Sequence, residues 1–290
     1  MKNNIKLAAA TSLALLFSAG SWAGPVILGG DDLTDHGSRS SGANLQGWLY
    51  IEKAIANLYS AQTRPGPFTV DIVALGSADP GAGVYPGGNA GGAINSVANV
   101  LGRSLSFYDG ATSINSFFSG LASGTVNPAI IWIAGTGASN DLDNSEGAAL
   151  TANATAIDNF VGSGGGLIAH GGGSIAYGWL STLLPGLIEA GGCTATGATL
   201  TAAGQAAFPG LTNSDISYGP CHSHFEGNFG GLTTLAFDGA NPQRSFIIGA
   251  SGVGGGSITQ PPGNVPEPAS LALLGIGLAG LGALRRRKTV

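Results

Sequence analysis

Seven residues with no charge among them, Ala129-Ile130-Ile131-Trp132-Ile133-Ala134-Gly135, restrict what this chain can fold into. An apolar run of that length without alternation suits a strand buried on both faces. Similar runs cover residues 25–30, 68–75 and 167–170, and 104–108 reads as a shorter strand. Between them the apolar residues recur at helical spacing: Leu45, Trp48, Leu49, Ile51, Ile55 and Leu58, then Ile94, Val97, Val100 and Leu101, then Ile114, Phe117, Phe118 and Leu121. A longer helix is expected over 145–161, with Glu146 in its first turn, stopped by Gly164-Gly165-Gly166. Strand and helix in alternation predict an α/β domain with a parallel sheet covered by helices on both faces. After about Gly191 the rhythm changes. Residues 198–201, 214–218, 232–237 and 245–248 read as strands or hairpins that extend the sheet or form an edge subdomain.

The 51 glycines would suggest disorder were they not concentrated between the apolar runs; with 43% hydrophobic residues they read as tight turns in a folded domain. Charged residues make up only 9%. The ends differ from this body. Lys2 and Lys6 precede an apolar run over 7–17, and Ser21-Trp22-Ala23 offers small residues to a signal peptidase, so residues 1–23 read as a secretory signal. Six of the 11 Lys and Arg and one of the 16 acids fall in the two ends, leaving a body of five basic and 15 acidic residues, net −10. So acidic a body excludes nucleic acid as a partner. Export also bears on the two cysteines: an oxidising compartment favours a Cys193–Cys221 disulfide, with buried thiols or a metal ligand as alternatives.

At the other end, Pro266-Glu267-Pro268 is followed by an apolar stretch over 269–284 and then by Arg285, Arg286, Arg287 and Lys288. A helix of that length spans roughly 24 Å, and basic residues behind it favour the cytoplasmic side. The arrangement resembles the PEP-CTERM sorting signal. That resemblance implies a membrane protease of the exosortase type as partner, a single C-terminal transmembrane helix as anchor, export through the inner membrane, and display at the surface or in the extracellular matrix with polysaccharide after processing. The domain plan is then a signal at 1–23, the body at 24–250, a flexible Gly/Ser/Pro linker at 251–264 and the sorting signal at 265–290.

Within the body, the stretch Gly164-Gly165-Gly166-Leu167-Ile168-Ala169-His170-Gly171-Gly172-Gly173, together with the strand through Trp132, resembles the class I glutamine amidotransferase-like fold. The resemblance implies a three-layer sandwich with a mainly parallel, flavodoxin-like sheet. In that superfamily the turn after such a strand carries a nucleophilic Cys. Here the turn reads Ala169, His170, Gly171 and Gly172, so covalent acyl transfer has no agent and the body is expected to bind and not to catalyse.

Three groups of residues offer binding chemistry. His170 lies where open α/β sheets place their sites, at the carboxyl edge. Asp31, Asp32, Asp35 and His36 follow the first strand at the same edge and can hold a divalent cation or cap a loop. His222, His224 and Glu226 would share one face of a strand at period two, a zinc-like set that competes with a purely structural role beside Cys221. The binding residues expected are Asp31, Asp32, His36 and His170; no cofactor and no metal is expected. No phosphate-binding glycine motif or Walker lysine is present. The sequence therefore reads as an exported, sorted binding protein, with a metal-dependent envelope hydrolase or a structural adhesin as rivals.

Overall fold

The computed structural model describes residues 24–137, 141–219 and 221–249. Five strands form a parallel core: β1 (Val26–Gly29), β4 (Val70–Leu75), β5 (Leu105–Tyr108), β6 (Pro128–Ile133) and β7 (Gly166–Ala169), in the order β5-β4-β6-β7-β1. The seven-residue apolar run that the sequence singles out supplies β6, which is buried along its whole length between β4 and β7.

The sheet continues past β1 through antiparallel strands. These are β8 (Leu187–Gly191), β9 (Thr199–Leu200), β10 (Ser223–Gly227), β11 (Thr233–Phe237) and β12 (Ser245–Gly249). β12 lies against β1 on one side and β11 on the other, while β10 pairs with β12 at Ser245 and with β8 along its length. β9 closes the far edge on β11. A separate hairpin joins β2 (Gly37–Ser40) to β3 (Ala43–Gln46). Its two-residue turn has positive φ at both Ser41 (49°) and Gly42 (85°), the geometry that matches the strands' own twist.

Helices cover the parallel core. α1 (Gly47–Ala61) and α2 (Ala90–Leu101) pack together, and α1 lies over β6, β7 and β1. α3 (Ala111–Ser123), α4 (Asn144–Ala152), α5 (Ala154–Gly162), α6 (Gly173–Tyr177) and α7 (Leu180–Leu183) pack among themselves, α3 on α4, α4 on α6 and α5 on α7. Right-handed crossovers account for the division. The chain runs leftward across the sheet through α1 and α2 and rightward through α3, α4 and α5, so the two sets fall on opposite faces. The short helices α8 (Ala202–Ala207) and α9 (Asn213–Ile216) lie beside α1.

Several expectations need correction. The sheet is not flavodoxin-like: β1 sits between β7 and the antiparallel β12, away from β4, and half of the ten strands are antiparallel. Of the two arrangements expected for the later strands, extension of the sheet is the one found, since they all belong to it and not to an edge subdomain. Residues 214–218, read as a strand, lie at helix α9, because Thr212 and Asp215 form a reciprocal capping box that starts a helix there. The single helix expected over 145–161 breaks at Asn153 into α4 and α5. Among the described residues no helix is long and apolar enough to cross a membrane. The transmembrane helix expected at 269–284 is therefore not seen, and that segment, like the expected signal at 1–23, lies outside the described residues.

Candidate functional site

The carboxyl ends of β4, β6, β7 and β1 face the same way, and chain connections leave neighbouring strands toward opposite faces of the sheet there. Such a divergence opens a crevice at the sheet edge. What fills it depends first on Gly30. Its carbonyl accepts two backbone hydrogen bonds, from His222 N (2.9 Å) and Ser223 N (3.1 Å). A Cβ at position 30 would stand 1.8 Å from the Ser223 carbonyl oxygen, so only glycine allows this crossing. Next to it, Asp31 bridges to Cys221, and Cys221 is joined to Cys193 by a disulfide across 28 residues. The expected pairing is present. Together these contacts bring His222 to the end of β1.

Asp31 and His170 form the floor. Both are fully buried. Asp31 Oδ1 accepts from Leu33 N (3.1 Å) and lies 2.7 Å from His170 Nδ1, while His170 Nε2 accepts from the Trp132 indole N–H at 3.0 Å. Because Nε2 is an acceptor, the ring proton sits on Nδ1 and points at Asp31. Both nitrogens of His170 are spent on protein partners, which makes it a brace for Asp31. Tyr50 stands edge-on to the His170 ring, and burial, reinforced by the Asp31 carboxylate, pushes its phenol well above the usual tyrosine range. Trp48 fixes the loop above, donating from its indole to the Thr34 carbonyl (2.9 Å).

The loop so fixed presents Asp32, Asp35 and His36. His36 Nε2 lies 3.4 Å from Asp32 Oδ2 and 3.2 Å from Asp35 Oδ1, and one donor atom from each of the three residues falls within 4.8 Å of the others. The second oxygen of Asp32 lies 3.3 Å from His222 Nε2. Contact with Asp32 lifts His222 above the ordinary imidazole range, against the opposing effect of burial and with help from Asp31 and Asp141. Burial raises Asp35, and the Asp32 carboxylate adds to the effect.

Asp141, beyond the end of β6, lies within electrostatic reach of Asp32, Asp35 and His222. It is 8% exposed, and among the described residues neither carboxylate oxygen has a hydrogen-bond partner. Burial, then the charges of Asp35 and Asp32, push its pKa from 3.8 to about 8, with His222 pulling the other way. The rim is open: the side chains of His36 and His222 are 32% and 34% exposed.

Of the expected binding residues, Asp31, Asp32, His36 and His170 all gather at this edge, two in the floor and two in the pocket. Asp35 stands in the same cluster without being among the expected binding residues, and Asp141 is not expected at all. Asp141 follows β6, so its position after the most apolar run was the available signal. His222, His224 and Glu226 are not brought together as one set. His222 precedes β10 and turns to Asp32, whereas His224 Nδ1 lies 2.7 Å from the Gly192 carbonyl and its Nε2 3.0 Å from Glu226 Oε1.

Comparison with protein families identifies a PEP-CTERM protein-sorting motif over residues 264–288. No curated protein and no solved structure matches the chain. The motif defines an exported protein sorted through exosortase, a membrane protein. An amidotransferase-like body finds no support in these comparisons. After β7 the turn holds no Cys, and both cysteines of the chain are joined to each other.

Proposed function

We propose that the body of this exported protein is a non-catalytic binding domain displayed at the cell surface or in the extracellular matrix, and that its ligand site is the pocket of Asp32, Asp35, His36, Asp141 and His222. The observation that carries this reading is the meeting of three carboxylates and two imidazoles from three distant parts of the chain at one solvent-open crevice. Structural ion pairs alone do not require so many groups with so few partners. Extracellular polysaccharide is the partner that the sorting route puts within reach. The test is co-sedimentation of the mature protein, purified from its host, with the host's own extracellular polysaccharide. Retention that drops at least tenfold in Asp32→Ala with the fold intact supports the reading; equal retention of both proteins sinks it.

A metal-dependent hydrolase of the envelope is the second reading. It is favoured by imidazoles and carboxylates set together at the edge where open α/β sheets place their reacting groups. Turnover of envelope glycans or peptides, lost in Asp141→Asn, separates it from the first.

A further inference from the structure

We infer that this pocket holds a divalent cation of the first transition row, Zn²⁺ or Mn²⁺ in chemical type, bound by Asp32, Asp35 and His36 with Asp141 and His222 beside it. The inference rests on the reading of the pocket as the ligand site and replaces the expectation of no metal. Donor spacing is the first argument. Ligands about 2.1 Å from a tetrahedral ion stand about 3.4 Å apart. Here His36 Nε2 is 3.4 Å from Asp32 Oδ2 and 3.2 Å from Asp35 Oδ1, with Asp32 Oδ1 at 3.3 Å from His222 Nε2. Two of these contacts are ion pairs of poor hydrogen-bond geometry: among the described residues Asp32 Oδ1, Asp35 Oδ1 and His222 Nε2 are all buried and make no well-aligned hydrogen bond.

Asp141 supplies an independent argument. Its side chain is more than nine-tenths buried and lies within electrostatic reach of Asp32, Asp35 and His222, and among the described residues neither of its oxygens has a hydrogen-bond partner. A buried carboxylate needs a cation or donors around it. Among the described residues no Lys or Arg pairs with Asp31, Asp32, Asp35 or Asp141; imidazoles are the only ion-pair partners of Asp31, Asp32 and Asp35. A dication would answer three carboxylates at once. The two imidazoles set its type, because Ca²⁺ and Mg²⁺ take oxygen donors whereas Zn²⁺ and its neighbours accept nitrogen as well. The partly exposed His36 and His222 leave a way in.

The experiment uses the purified mature protein, stripped with chelator and dialysed, then titrated separately with ZnCl₂, MnCl₂ and CaCl₂ by calorimetry, with metal content read by mass spectrometry. About one equivalent of Zn²⁺ or Mn²⁺ is expected, with Ca²⁺ at least about 100-fold weaker and a rise in Tm of about 5 °C or more at 100 times Kd. Asp32→Ala and the milder His36→Gln should each weaken binding at least tenfold, and His224→Ala, outside the pocket, should leave it unchanged. Circular dichroism checks the fold of each variant, and His36→Gln keeps the test alive should Asp32→Ala not fold. No binding by the parent protein overturns the inference, as does binding lost only in His224→Ala. Polysaccharide retention that depends on Asp32 yet survives metal removal would overturn the cation while leaving the binding domain standing.

Discussion

Asp238 and Asp141 are both buried carboxylates near strand ends, and they have opposite fates. Asp238 is fully buried but accepts from Arg244 through N (2.9 Å), Nε (2.9 Å) and Nη2 (2.6 Å), and also from Thr194 N and Ala240 N. Burial pushes its pKa up, yet the bonds from Arg244 and the backbone outweigh it and hold the group below the usual carboxylate range. Asp141 has burial without donors, and its pKa rises to about 8. The difference teaches that depth alone does not set the charge of an acid; the company it keeps does. One of these carboxylates is structural and satisfied, and the other is held ready for something.

Removing the company of Asp238 should make it resemble Asp141. Arg244→Ala strands a buried charge and is expected to destabilise the domain by about 3–5 kcal/mol in urea unfolding, the largest effect here. Little or no loss would mean that the backbone donors alone hold Asp238. The disulfide bears on the other side of the comparison, because it fixes the strand start that brings His222 to Asp32 and Asp141. Replacing Cys193 and Cys221 by Ser should cost about 3.5 kcal/mol from the reopened 28-residue loop, measured the same way.

Asp141→Asn should act in the opposite sense. The folded-state pKa of about 8 stands above the ordinary 3.8, so the folded chain holds a proton that the unfolded chain has lost between those values. Stability of the metal-free protein from this group is therefore full below about pH 4 and falls as pH climbs toward 8. Asn removes the dependence. The variant should gain about 1–3 kcal/mol over the parent at pH 8 and much less at pH 5, by unfolding at the two pH values. The smallest effect belongs to the satisfied floor: Trp132→Phe takes one donor from His170 and should cost about 1 kcal/mol beyond any repacking.

Much of the parallel core was legible because each of its strands is a local apolar run, and α1, α2 and α3 because their spacing is helical. The placement of β1 was not legible. Its neighbours β7 and β12 lie more than a hundred residues away, and nothing in a run such as Val26–Gly29 names its partner. The capping pair Thr212 and Asp215 is a local helix signal, and it outweighs the short run over 214–218 that reads as a strand. In the pocket, Asp31, Asp32 and His36 could be read because they crowd into one loop. For Asp141 the chain offers only its place after the most apolar run, since its companions reach it only through the fold. His222 was read with His224 and Glu226 on strand period alone, which overlooked that β10 begins at Ser223 and that the residue before it is anchored to Gly30.

The missing side chain at Gly30 carries a consequence for timing. Because that bare position is where the late antiparallel strands land on the earliest strand, residues near 31, 141 and 222 meet only once the last part of the body has docked. A chain still emerging on the far side of the membrane has no assembled grip for a ligand. On the proposed reading, capture by this pocket would double as a certificate that folding after export is finished.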